Sequence, residues 1–292
     1  MTVFTVSPVV LEIPGRPVDL QLKVSAPTEG GGLPIILLSH GQGYSNHLSS
    51  LNGYAPLANH WAEQGFAVLQ PTHLSSRTLS LPNAPGAPMF WRERAEDMSH
   101  VIDRLDEIEK AVPQLQNRLD HTKIAVAGHS MGGHTASLLL GMRSEGVSLK
   151  DERIKAGVLL GSTGGGEGLT DVVKQNYPFM LTSDFSDMTT PALVVAGDQD
   201  ASEHLTTTGP EWHMDPYHLS PGRKDLLVLE GGEHGLGGVS GYDVAETTDE
   251  SPERVATVQR LTTAYLRSQL FGTDDWQREA SVGVGFRVAS RS

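Results

Sequence analysis

Residues 123–141 read KIAVAGHSMGGHTASLLLG. The small and apolar residues before Gly128 suit a strand buried on both faces, and the run after Ser130 suits a helix. Between them stands Gly128-His129-Ser130-Met131-Gly132, a G-x-S-x-G pattern. A serine on a strained strand-to-helix turn needs glycine on either side, because strand and helix backbones approach too closely there for a Cβ. With 32 Gly in 292 residues, the five-residue pattern alone can arise by chance. The strand before it and the helix after it make it a nucleophile elbow, with Ser130 at its apex.

The pattern of short apolar runs continues in both directions. Strands are expected at Val9–Ile13, Val18–Val24, Ile35–Ser39, Ala67–Pro71, Lys123–Ala127, Ala156–Gly161, Ala192–Gly197 and Asp225–Leu229. The later ones are continuously apolar, as strands of a parallel sheet covered on both faces are, and the first two alternate like an antiparallel edge hairpin. Helical spacing links Met98, Val101, Ile102, Leu105, Ile108 and Val112 up to Pro113. It also links Leu57, Ala58 and Trp61 before Gly65, and Val255, Val258, Leu261, Tyr265 and Leu266 between Ser251-Pro252 and Gly272. Alternating strands and helices predict an α/β fold: a mostly parallel, eight-stranded sheet with helices on both faces and no large separate cap domain. Residues 1–292 are read as a single domain, with rim loops at 72–94, 161–190 and 201–224 and an exposed tail at 272–292.

A serine is a poor nucleophile until a base takes its proton, so an acid and a histidine are required further along the chain. PALVVAGDQDAS ends a strand in Asp198 and Asp200, and DLLVLEGGEHGLGG ends the next in a loop carrying His234. His234 is read as the base. Asp200, further into its loop, is preferred as the orienting acid to Asp198, which is read as capping the turn. Two backbone N–H groups must hold the developing oxyanion. One belongs to Met131; the other is assigned to Gln42 in His40-Gly41-Gln42-Gly43, with Gly43 or Tyr44 as one-residue alternatives. Met89, Phe90, Trp91 and Trp212 are the candidates for an apolar substrate wall.

Composition narrows the alternatives. Zero Cys removes disulfides, thiolate metal sites and a cysteine nucleophile,. A formal charge of −13 opposes nucleic-acid binding,. No apolar run is long enough to span a membrane. The start, MTVFTVSPVVLEIPG, carries no signal-peptide pattern, so a cytoplasmic location is expected,. GSTGGGEG at 161–168 lacks the Lys-Ser/Thr of a P-loop, and no dinucleotide fingerprint follows an early strand,. The spacing of His204, His213 and His218 matches no metal-ligand pattern. No cofactor and no metal are therefore expected, and the only partner read from the chain is a small-molecule substrate. Oligomeric state is not legible.

The order HGQG, GHSMGG, GDQD, GGEHG, each after a strand, resembles the α/β-hydrolase superfamily over residues 9–271. The run Arg94-Ala95-Glu96-Asp97-Met98 through Val101-Ile102-Asp103-Arg104-Leu105 is similar to the dienelactone-hydrolase-like group. That group also takes in chlorophyllase-type and platelet-activating-factor-acetylhydrolase-type esterases. Dienelactone hydrolase itself uses Cys, which this chain lacks, so the resemblance implies a serine esterase. It implies a cofactor-independent carboxylic-ester hydrolase with a Ser130–His234–Asp200 triad and an acyl-enzyme. Lactonase, thioesterase and acyltransferase chemistry on the same triad, or a non-catalytic ligand-binding protein, are the alternatives.

Overall fold

A computed structural model describes residues 1–242 and 244–291. Its strands are β1 (Val3–Leu11), β2 (Leu20–Pro27), β3 (Leu33–Ser39), β4 (Ala67–Pro71), β5 (Leu119–His129), β6 (Ile154–Leu160), β7 (Ala192–Gly197), β8 (Lys224–Leu229) and β9 (Phe286–Arg291). They form one nine-stranded sheet in the order β1-β2-β4-β3-β5-β6-β7-β8-β9. The run from β4 to β8 is parallel, while β1, β2 and β9 join antiparallel at the two sides.

Helices cover both faces, which is why the inner strands are apolar along their whole length. On one side α2 (Trp91–Asp103), α3 (Leu105–Ala111) and α4 (Met131–Leu140) pack Met98, Val101, Leu105, Ile108 and Leu139 against Ile35 and Leu37. On the other, α1 (Ala55–Glu63), α7 (Pro252–Phe271) and α8 (Asp275–Ala280) pack Leu57, Trp61, Leu261, Tyr265 and Trp276 against Ile36 and Leu38. Ser251 accepts the Arg254 amide at 3.2 Å to start α7, and Gly272 at φ 70° closes it. Two short rim helices, α5 (Asp171–Asn176) and α6 (Asp215–Leu219), lie in the long connections. Among the described residues, no helix is long and apolar enough to cross a membrane.

Three expectations are corrected. Among the described residues the main sheet has nine strands, because residues 272–291 are not a free tail. They form α8 and then β9, which pairs with β8 from Leu229↔Phe286 to Lys224↔Arg291. β8 is buried along its length and would otherwise leave its backbone groups unpaired at an edge,. Trp276 of α8 is 2% exposed and donates from Nε1 to Asp225 Oδ1 at 2.9 Å, pinning the segment down. The first strand runs from Val3, six residues ahead of the start expected at Val9; the exposed Ser7-Pro8, where the pairing register shifts between Val6 and Val9, interrupt its apolar alternation. The single helix expected up to Pro113 is two, broken at Arg104 (φ −113°, ψ 19°). Both halves still bury the same stripe.

β3, β5, β6, β7 and β8 all end at the same edge, so the loops after Ser39, His129, Leu160, Gly197 and Leu229 converge there. In open parallel sheets this carboxyl edge is where ligands are met.

Candidate active site

Ser130 links β5 directly to α4 with φ 56° and ψ −121°, a strained conformation for a residue with a side chain,. The flanking glycines are demanded by contact. A Cβ on Gly128 would lie 2.0 Å from Gly132 O, and one on Gly132 would lie 2.1 Å from Ser39 O. Ser130 N–H donates to Leu160 O at 2.9 Å, tying the elbow to the neighbouring strand. Gly132→Ala forces β3 and α4 apart and is expected to lower stability by about 3 kcal/mol or more, since overpacking against backbone cannot be relieved by a rotamer change. Urea denaturation measures this, and an unshifted midpoint would contradict it.

His234 enters from the loop after β8. Its Nδ1 donates to Asp200 Oδ2 at 2.8 Å, and Ser202 Oγ donates to Asp200 Oδ1 at 2.7 Å. Asp200 is buried, while the His234 ring keeps a third of its surface open. Burial alone would push the Asp200 carboxyl up, but His234 and His213 outweigh it and hold the group well below the ordinary carboxylate range. Burial works against a charged His234, yet the Asp200 charge and hydrogen bond prevail and raise its pKa. Asp198 sits apart, accepting the Gly231 amide at 2.8 Å as a turn cap. Among the described residues, Ser130 Oγ and His234 Nε2 make no hydrogen bond.

A second imidazole reaches the same carboxylate. His213 Nε2 stands 3.2 Å from Asp200 Oδ2 and 3.1 Å from Ser202 Oγ, while its Nδ1 donates to Ser162 O at 2.7 Å. Ser202 has one proton, and at 2.7 Å it goes to Asp200 Oδ1,. In the sequence His213 stands out only beside His204 and His218. Its proximity to Asp200 arises from a turn that no local pattern signals.

The loop after β3 is held from several sides. Gly41 N–H donates to Tyr54 OH at 2.9 Å, Tyr54 O–H to His129 Nδ1 at 3.0 Å, and His129 Nε2–H to His234 O at 2.7 Å. This buried chain joins the Gly41-Gln42 loop to the backbone of His234. Burial, then the His234 charge, pushes the His129 pKa down to about 3, so the ring stays neutral and can donate from one nitrogen while accepting at the other. Behind the loop, Ser39 Oγ donates to His73 Nε2 at 2.9 Å and His73 Nδ1 donates to Asp97 Oδ2 at 3.0 Å. Arg16 Nε donates to Asp97 Oδ1 at 2.8 Å, and the fully buried Arg94 donates to Ser75 Oγ, Thr135 Oγ1 and His40 O. This second Ser–His–Asp chain is buried, so it acts as a buttress rather than as a site. Gln42 is fixed by its Nε2, which donates to Ser75 O at 3.2 Å. Among the described residues, neither the Gln42 nor the Met131 amide is engaged in a hydrogen bond.

Beside the elbow, Met131, Leu169, Val173, Phe179, Met180 and Trp212 form a small apolar cluster, with Met89 and Trp91 packed at its margin. Three of the four expected wall residues therefore meet at Met131. Trp212 is fully buried, with Nε1 donating to Gly165 O at 2.8 Å, so it backs the wall rather than lining it. Phe90 is not part of it. At φ 49° it caps α2 and its ring turns to a separate cavity of about 420 Å³ lined with Ile13, Arg16 and Leu74.

An elbow serine, a histidine–carboxylate pair on later loops and two free amides, all at the carboxyl edge of a doubly covered parallel sheet, define an α/β-hydrolase fold. The sequence model of the chlorophyllase family matches residues 4–198, and the chain belongs to that family. It is similar to Cutinase est2 of Thermobifida alba, 26% identical over 195 residues that cover 66% of this chain and 50% of that one. Cutinase of Thermobifida fusca (strain YX) is 25% identical over 193 residues, covering 66% and 50%. Chlorophyllase-2 of Arabidopsis thaliana is 24% identical over 281 residues, covering 87% and 79%. The chain thus spans about half the length of the two cutinases.

Proposed function

We propose that the chain is a cofactor-independent carboxylic-ester hydrolase that works through an acyl-enzyme on Ser130. The observation that carries this reading is the His234–Asp200 pair, with the His234 ring 4.9 Å between centroids from that of His129, the residue before the strained Ser130. Relatives named as cutinases and a chlorophyllase support an ester as the bond cleaved.

In this reading Ser130 Oγ attacks the ester carbonyl while His234 Nε2 takes its proton. Asp200 holds the resulting imidazolium, and the Met131 and Gln42 amides receive the negative oxygen. His234 then protonates the departing alcohol. Water repeats the sequence on the acyl-enzyme, releasing a carboxylic acid and freeing Ser130. Each of these roles is filled by a group of this chain, which is the reason no cofactor is invoked. Met89, Trp91 and Met131 offer the apolar surface against which an acyl or alcohol group rests. The formal charge of −13 favours a neutral ester and the departure of its carboxylate product,.

His234 must be neutral to act as base, and Asp200 raises its pKa. Hydrolysis should therefore rise with pH through a midpoint above about 6.5, the ordinary histidine value. A kcat/KM profile from about pH 5 to about pH 9 checks the sign, with a single rising limb expected in that window. A flat profile or a midpoint well under the ordinary value contradicts it. The substrate class is tested with p-nitrophenyl esters of increasing chain length beside lactones, thioesters and amides. Ester turnover well above amide turnover supports the reading. Failure on every ester overturns it in favour of a ligand-binding role, and preference for lactones or thioesters moves it to those chemistries.

A further inference from the structure

We propose that Asp200, His213 and His234 together form a site for a divalent transition metal of the zinc class, and that metal bound there switches the enzyme off. The switching half of this inference rests on the ester-hydrolase reading above; the binding half does not.

The donor set is two imidazole nitrogens and one carboxylate oxygen, the mixture that zinc accepts. Asp200 Oδ2 lies 2.8 Å from His234 Nδ1 and 3.2 Å from His213 Nε2, and all three donor atoms fall within 4.8 Å of one another. Around a tetrahedral zinc with bonds of about 2.0–2.1 Å, donor atoms stand about 3.3 Å apart. The three groups therefore need only small rotations to close on an ion.

The surrounding contacts are those that prepare histidine and carboxylate for a metal. His213 donates Nδ1–H to Ser162 O at 2.7 Å, which fixes the ring and aims Nε2 at Asp200. Backbone carbonyls hold the second nitrogen of metal-bound histidines in this way. Ser202 Oγ steadies the other oxygen of Asp200 at 2.7 Å. Asp200 and His213 are buried, whereas the third-exposed ring of His234 gives the approach.

The consequence for the triad follows from the tautomer. Without metal, His234 Nδ1 carries the proton it gives to Asp200, leaving Nε2 free to accept from Ser130. With metal on Nδ1, the remaining ring proton sits on Nε2, which then donates and cannot take the serine proton. Asp200 is diverted at the same time.

The test uses full-length, chelator-treated protein with zinc chloride, and cobalt chloride as a spectroscopic probe. Calorimetry should find one zinc site, and cobalt should give the intense visible bands of tetrahedral coordination. Micromolar zinc should reduce p-nitrophenyl acetate turnover at least about tenfold, and EDTA should restore it. Ser130→Ala should bind zinc as wild type does, while His213→Gln should lose at least about tenfold in affinity. A second cluster, Asp106, Glu109 and His121, also brings three donor atoms within 4.8 Å. His121→Gln should therefore leave inhibition intact. Equal zinc affinity in His213→Gln and wild type overturns the site, as does zinc-saturated enzyme with full turnover. X-ray absorption of zinc-loaded wild type needs no variant: a shell with two imidazole nitrogens supports the site, and one with fewer overturns it. If no ester is turned over at all, the binding comparison between Ser130→Ala and His213→Gln still decides whether the metal site exists.

Discussion

Ser130→Ala is expected to lower kcat for ester hydrolysis by about a million-fold, the scale found when a serine nucleophile is removed from a triad. The fold should survive the change. Alanine keeps the Cβ that the position already tolerates at φ 56°, and among the described residues Ser130 Oγ makes no hydrogen bond that would be lost. The loss should therefore fall on kcat, with thermal midpoint and KM near wild type. Turnover of an activated ester in matched wild-type and variant preparations, with a melting curve beside it, reads both quantities. A variant that keeps more than a small fraction of activity would show that Ser130 is not the nucleophile.

Asp200→Asn carries the next largest effect, a loss of about ten-thousand-fold in kcat. Asp200 Oδ2 accepts from His234 Nδ1, and an amide nitrogen there would donate instead. His234 would then turn its lone pair to that amide and its proton to Ser130, the wrong tautomer for a base. The neighbouring Asp198→Asn is the internal control. Asp198 Oδ1 accepts from Gly231 N at 2.8 Å, and asparagine retains an oxygen that can do the same. Its kcat should stay near wild type. A loss confined to Asp198→Asn would move the acid to Asp198, and equal losses in the two variants would contradict the assignment to Asp200 alone.

What the chain discloses by itself depends on how local the cause is. The elbow is legible because Gly128 and Gly132 exclude Cβ atoms within five residues of each other, and because β5 and α4 bracket them. The inner strands are legible because cover on both faces leaves only apolar residues. β9 is not, since its exposed face gives Phe286 and Val288 only partial burial and β8 supplies the pairing. The Arg104 break is invisible for a related reason: both halves of the helix bury one continuous stripe, so periodicity does not register the turn. Phe90 shows the same limit at a single residue. Its composition suits a wall, but a left-handed backbone at the start of α2 sends the ring elsewhere.

The supports of the site are the least legible part. Tyr54 reaches His129 across 75 positions, and His73 reaches Asp97 across 24 while holding Ser39 across 34. None of these pairs shares a motif, because each is made by strands and loops meeting at the sheet edge. His213 joins Asp200 in the same way, although the two stand only 13 positions apart (213 − 200). Arg94 stands in a recognisable run, yet that run does not reveal that its guanidinium is buried under the Gly41-Gln42 loop.

The most direct measurement is labelling of wild-type protein with a fluorophosphonate, followed by peptide mass spectrometry. A single adduct on the peptide containing Ser130 is expected, absent from Ser130→Ala and formed far more slowly by Asp200→Asn. No adduct on active protein, or an adduct on another residue, would contradict a serine hydrolase built on Ser130, His234 and Asp200.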